Sequence, residues 1–141
     1  MSDHAIYSGG CACGAVRYSI PGPTLVELHC QCRHCQQRTG TGHGSYVIFG
    51  HRDRLRISGE VRTWSLPSDS GSLKTHAFCP ECGAPVYVLL GDRPANICIH
   101  SGSLDDPELF EPQFVVYAAR ALSWDRLDPA LPKHDAMRGE G

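Results

Sequence analysis

Seven of the eight cysteines in this 141-residue chain fall into three tight groups, and no other feature constrains the fold as much. The groups are Cys11-x-Cys13, Cys30-x-Cys32-x-x-Cys35 and Cys79-x-x-Cys82, with Cys98 alone. What such a pattern means depends on the redox compartment. The opening residues, Met1 to Gly10, contain neither the basic stretch nor the apolar run of a secretory signal. Pro85 to Leu90 is the longest apolar stretch, far short of the roughly 20 residues that a membrane span requires. The chain therefore reads as cytoplasmic, with no membrane partner, and its clustered thiols as metal ligands or reactive groups rather than disulfides. A secreted form already freed of its signal is the alternative.

Thirteen Lys and Arg against fifteen Asp and Glu leave a formal charge of −2, with no block of one sign. That balance argues against a nucleic-acid partner held by electrostatics. The length suits one domain over residues 1–141, and 15 Gly with 10 Pro make it turn-rich. Short strand-like runs follow one another: Val16–Ile20, Leu25–His29, Tyr46–Phe49, Leu55–Ile57, Val61–Leu66, Lys74–Phe78, Val86–Leu90, Ala95–Ile99 and Phe114–Ala118. No dozen residues sustain an apolar period near 3.6, so helix is confined to His34–Thr39 and a turn near Asp105–Leu109. The expected class is mainly β, with short antiparallel sheets, little helix and a frayed tail over about 133–141.

Cysteines one or two residues apart suit zinc, since each sulfur need only come within about 2.3 Å of a common ion. Phe78-Cys79-Pro80-Glu81-Cys82-Gly83 reads as a metal knuckle in which Pro80 preorganises the turn and Gly83 permits a conformation that a Cβ resists. It supplies half a tetrahedron. Cys11 and Cys13 are the natural other half, giving a closed four-thiolate structural site; four buried thiols without metal are the bland alternative.

Cys30, Cys32 and Cys35 offer three sulfurs and no obvious fourth. Three protein ligands leave one position open, as in catalytic zinc sites. His29, His34, His43 or Cys98 could instead close the tetrahedron. A Cys-x-x-Cys redox pair is weakened by the third cysteine and by the lack of a helix-opening βαβ context. Cys98 alternates with Ile97 and Ile99 and reads as a small buried side chain.

Zinc with three thiolates carries a net charge of −1, which makes it a weak Lewis acid and disfavours hydrolysis. A sulfur-rich site welcomes a further sulfur, so the expected partner is a small-molecule thiol, activated for addition to or elimination from carbon.

The segments Gly9-Gly10-Cys11-Ala12-Cys13-Gly14, Cys30-Gln31-Cys32-Arg33-His34-Cys35 with Arg38-Thr39-Gly40, and Phe78 to Gly83 resemble the glutathione-dependent formaldehyde-activating enzyme family. Gly102-Ser103-Leu104-Asp105-Asp106, Trp124 and Leu131-Pro132 resemble its C-terminal pattern. The resemblance implies an Mss4-like β-tent with two zinc ions: a structural one on Cys11, Cys13, Cys79 and Cys82, and a catalytic one on Cys30, Cys32 and Cys35. It implies a carbon–sulfur lyase activity that forms S-hydroxymethylglutathione reversibly from glutathione and formaldehyde. Arg17, Arg33, Arg38 and Lys74 are candidate contacts to glutathione carboxylates, each with a solvated surface role as its alternative. A thiol carrier without catalysis and an interaction protein with two structural zincs are the competing functions.

Overall fold

A computed structural model of the protein describes residues 5–137. Among these are ten strands: β1 (Ile6–Gly10), β2 (Arg17–Pro21), β3 (Val26–Cys30), β4 (Gly44–Phe49), β5 (Arg56–Ser58), β6 (Arg62–Pro67), β7 (Leu73–Phe78), β8 (Pro85–Leu90), β9 (Ile97–His100) and β10 (Phe114–Val116). One α-helix, α1 (Arg33–Thr39), and four single-turn 3₁₀ segments complete the elements. The strands form a three-stranded sheet, β1-β2-β5, and a seven-stranded sheet, β10-β3-β4-β9-β8-β7-β6.

Strand β4 shows why the larger sheet divides the molecule. Its Tyr46-Val47-Ile48-Phe49 run is built of the aromatic and β-branched types that suit a pleated surface, and all four are buried because the strand is central. Side chains alternate across a strand, so Val47 and Phe49 face one way and Tyr46 and Ile48 the other. On β9 the alternation places Ile97 and Ile99 with Val47 and Phe49, packed against Val16, Tyr18 and Ile20 of the three-stranded sheet and its entry. Cys98 joins Tyr46 and Ile48 on the opposite face, with Leu28, Val88, Phe114 and Val116. That second face also holds Cys30, Cys32 and Cys35, while Cys11 and Cys79 belong to the first.

Mainly β is correct, with two amendments. The sheets are not wholly antiparallel, because β10 pairs with β3 in parallel. A strand at Ile6–Gly10 also appears where none was expected; its two glycines hide the alternation. Within the segment expected to fray, residues 133–136 pair with β10 and the residues just after it. Lys133 bridges Val115, the His134 N–H donates to the Val115 carbonyl at 2.9 Å, and the Tyr117 N–H donates to the Ala136 carbonyl at 3.2 Å. Residues 138–141 of that segment lie outside the described residues.

Candidate metal centres

Two loops converge to form the first cysteine group. One joins β1 to β2 and carries Cys11 and Cys13; the other joins β7 to β8 and carries Cys79 and Cys82. Each loop folds its backbone around a sulfur. The Val16 N–H donates to Cys11 Sγ at 3.2 Å, while the N–H groups of Glu81 and Cys82 donate to Cys79 Sγ at 3.3 and 3.5 Å. Gly83 closes the second loop with φ +77°, a left-handed conformation in which a side chain would be strained. Its N–H donates to the Cys79 carbonyl at 2.8 Å. The Val16 N–H also lowers the Cys11 thiol to about 6, since it favours the thiolate.

All four ligand atoms lie within 4.8 Å of one another, with Cys11–Cys13 at 3.6 Å and Cys13–Cys79 at 3.7 Å between sulfurs. Four thiolates placed tetrahedrally at about 2.3 Å from one ion would be about 3.8 Å apart. The donor set fits a single ion of zinc's size. Cys13 and Cys82 are exposed and Cys11 and Cys79 buried, so the group stands partly in solvent, between a loop of the three-stranded sheet and a loop of the seven-stranded one.

The second group is built within one short stretch. Cys30 ends β3, Cys32 caps α1, and Cys35 lies in the helix's first turn, where its N–H donates to Cys32 Sγ at 3.4 Å. Cys32-x-x-Cys35 thus does open a helix. The strands on either side, β3 and β4, are antiparallel, so the βαβ frame of a redox pair is still missing. Buried Gln36 ties the segment down: its Nε2 donates to the carbonyls of Gln31 and Arg120, both at 3.1 Å. The Tyr46 hydroxyl reaches Cys35 Sγ at 3.2 Å. Gly44 leaves room for it, because a Cβ there would stand 2.5 Å from that hydroxyl oxygen.

The three ligand atoms of Cys30, Cys32 and Cys35 also lie within 4.8 Å of one another, and all three residues are buried. Their protonation is mutual. Hydrogen bonds from Cys30 and Cys35 hold Cys32 far below the usual thiol range, and Lys74 adds to the effect. Cys30 is pushed well above that range by its hydrogen bonds to Cys32 and Cys35 and by burial. Cys35 is lowered by Cys30, yet Cys32 and burial outweigh this and push it up to about 12. Three buried sulfurs compete for a single negative charge; a divalent cation would remove the competition and let all three ionise. By its donor chemistry this group too could hold a metal ion.

None of the proposed fourth ligands joins the trio. His29 Nδ1 is 2.7 Å from Ser45 Oγ, and His43 Nδ1 is 2.9 Å from Asp125 Oδ1. Cys98 is buried beside Cys35, and desolvation pushes its thiol up to about 12, so it remains protonated. Among the candidate carboxylate contacts, Arg17 is bound bidentately by Asp105, and Arg33 donates to Gln36 Oε1 at 3.0 Å. Arg38 extends from α1 over the rings of Trp64 and Phe78, at 5.6 and 5.4 Å from their centroids.

Two residues beside the trio were not legible as such. Tyr46 reads as one more aromatic in a strand. His76 lies on β7, on the face it shares with Lys74 and Phe78, and is 2% exposed. Alternation along Lys74–Phe78 was the available signal, but only α1 folding over the sheet gives it meaning.

A mainly β protein with two cysteine groups, each able to hold a metal ion, is the class that fold and sites define. The sequence profile described as "Glutathione-dependent formaldehyde-activating enzyme" matches residues 6–120, and the chain belongs to that family. A Halomonas elongata protein named "Putative glutathione-dependent formaldehyde-activating enzyme" is 26% identical over 87 residues, covering 59% of this chain and 55% of that protein. The match thus spans only about half the length of that curated relative. A crystal structure of a Rhodobacter sphaeroides protein is similar in fold, with a TM-score of 0.57 at 20% identity over 74% of this chain and 96% of that one. No helix among the described residues is long and apolar enough to cross a membrane.

Proposed function

We propose that the protein is a cytoplasmic, zinc-dependent enzyme of the carbon–sulfur lyase type that joins a glutathione-like thiol to a small aldehyde, forming S-hydroxymethylglutathione or a close relative reversibly. The observation that carries this reading is the buried trio Cys30, Cys32 and Cys35, which no fourth ligand atom joins among the described residues. In this reading they hold the catalytic zinc, and Cys11, Cys13, Cys79 and Cys82 hold a structural one. A zinc ion bound by the trio supplies a position where an incoming thiol is kept as thiolate.

That chemistry has a ceiling. Complete ionisation of a thiol with pKa about 8.5 gains at most about 30-fold at neutral pH, roughly 2 kcal/mol. Part is lost again, because nucleophilicity falls with pKa. Larger acceleration depends on how the chain holds its reactants. Tyr46 and the Cys35 N–H fix the sulfurs of the trio, and burial keeps bulk water from them. Arg38 and Lys74 add positive charge, which suits an acidic thiol such as glutathione.

In the reaction the substrate's sulfur forms a bond to the carbonyl carbon as the C=O π pair moves onto oxygen. The thiol's proton is released to solvent, and a solvent proton is taken up by the oxygen, so the net change is addition of S–H across C=O. Exchange spectroscopy on a glutathione–formaldehyde mixture tests this directly. Micromolar protein is expected to raise the exchange rate, and an unchanged rate overturns the reading. Thiol binding by calorimetry with a flat exchange rate identifies a carrier instead.

A further inference from the structure

We infer that His76 is a catalytic residue that donates a hydrogen bond to the aldehyde oxygen as the substrate's sulfur adds to the carbonyl carbon; this rests on the reaction proposed above. His76 is 2% exposed, and neither ring nitrogen has a hydrogen-bond partner among the described residues. Buried polar atoms are nearly always paired in folded proteins, so two orphaned nitrogens on one ring call for a ligand or a function. The nearby Arg38 Nε is also buried without a partner.

Position singles out the trio. In the sheet register His76 is opposite Val88, and Val88 opposite Cys98; both neighbours belong to the cluster that contains Cys30, Cys32 and Cys35. Cys32 is close enough to His76 to act on it electrostatically. Neither imidazole nitrogen joins the ligand group itself, so His76 is free to serve a bound substrate. The ring is also held in place: Trp64, its cross-strand partner, stacks on it at 6.2 Å with 28° between planes, and the Arg38 guanidinium covers Trp64.

The charge state suits a donor to an oxygen that gains charge during the reaction. Burial, with Arg38, Lys74 and His34 around it, lowers His76 to about 4. At neutral pH the imidazole is therefore uncharged, with one N–H to donate. A permanent carboxylate would be better met by the cations of Arg38 and Lys74. A neutral, preorganised donor favours an alkoxide in formation over the starting carbonyl, and so acts on the transition state. Along this path the C=O π pair moves onto the oxygen that His76 faces. The oxygen then takes its proton from solvent, which has received the thiol's, and His76 keeps its own.

The test compares wild type with His76→Phe and His76→Gln. Phe keeps the ring shape without nitrogens; Gln returns an amide N–H. For His76→Phe the expected exchange rate is about 10²-fold lower, with glutathione affinity by calorimetry and zinc content unchanged. Gln is expected to restore part of the rate. Because Phe removes two unpaired buried nitrogens, its melting temperature is expected to equal or exceed that of wild type, whereas a structural histidine would lower it. A readout independent of turnover is the ¹⁵N resonance of the His76 ring, which is expected to shift with glutathione and formaldehyde together and not with glutathione alone. A wild type that accelerates nothing overturns the proposed reaction, and the inference with it. An active wild type matched by His76→Phe, or a His76 resonance that ignores the aldehyde, overturns the inference alone.

Discussion

The two cysteine groups use the same residue in opposite circumstances. The four-cysteine group is assembled from two distant loops, stands half in solvent and is complete in ligands. Its partner comes from six consecutive positions, is wholly buried and stops at three. Exposure and coordination run against each other here. Shielding from water therefore does not follow the number of sulfurs: the partly exposed group has four ligand atoms and the shielded one three. In the function proposed above, a thiol substrate brings the fourth sulfur to the shielded group.

If that contrast is right, the largest effect falls on the complete group. Cys79 is fully buried and receives two backbone N–H groups at its sulfur, and its loop joins the two sheets through the ion it would hold. Cys79→Ser is expected to cost stability on the scale of the whole folding free energy, about 5–15 kcal/mol, and to leave the chain without a cooperative thermal transition. Calorimetric melting checks this. A variant that still melts cooperatively near the wild-type temperature breaks the contrast from the structural side.

Cys32→Ser is expected to do the reverse. The sheets and the four-cysteine clamp stay intact, so circular dichroism should report a folded protein that melts within several degrees of wild type. Exchange of glutathione with formaldehyde should fall to the uncatalysed rate. Unfolding on loss of Cys32 would give the trio the same role as the clamp.

Tyr46→Phe sharpens the comparison further. It removes the hydroxyl at Cys35 Sγ and leaves the other group untouched. Partners of metal ligands typically contribute about 10–100-fold in affinity. In a competition with a chromophoric chelator, one of two zinc ions should bind more weakly by about that factor and the other should be unchanged.

The smallest effect is expected at Cys98. Cys98→Ala should cost about 1 kcal/mol, for the small cavity left behind, and should retain both metal ions and the exchange rate within a few-fold. Loss of one metal ion in this variant would make Cys98 a fourth ligand and close the trio.

Much of this arrangement was readable from the residues. Nine of the ten strands were foreshadowed by runs such as Tyr46–Phe49 and Lys74–Phe78, because β-branched and aromatic residues between turn signals carry local information. The alternation of Cys98 with Ile97 and Ile99 already put it on its own face. The start of α1 was harder: its cap is Cys32, not one of the usual Ser, Thr, Asp or Asn caps. The parallel pairing of β10 with β3 and the pairing of residues 133–136 beyond it depend on contacts distant in sequence, which no local pattern encodes. His76 is the clearest example. As one of eight histidines it carries no mark, and its unpaired ring gains meaning only from the strand register and from the stacking of Trp64, over which Arg38 reaches from α1.

Whether the trio keeps a place for an incoming thiol is decided by spectroscopic titration of the cobalt-substituted protein with glutathione. Sulfur-to-cobalt charge transfer should grow and saturate at one glutathione per protein. It should stay flat with S-methylglutathione, and flat again with glutathione in Cys32→Ser. A spectrum that already shows two four-sulfur ions, unmoved by glutathione, would contradict the account.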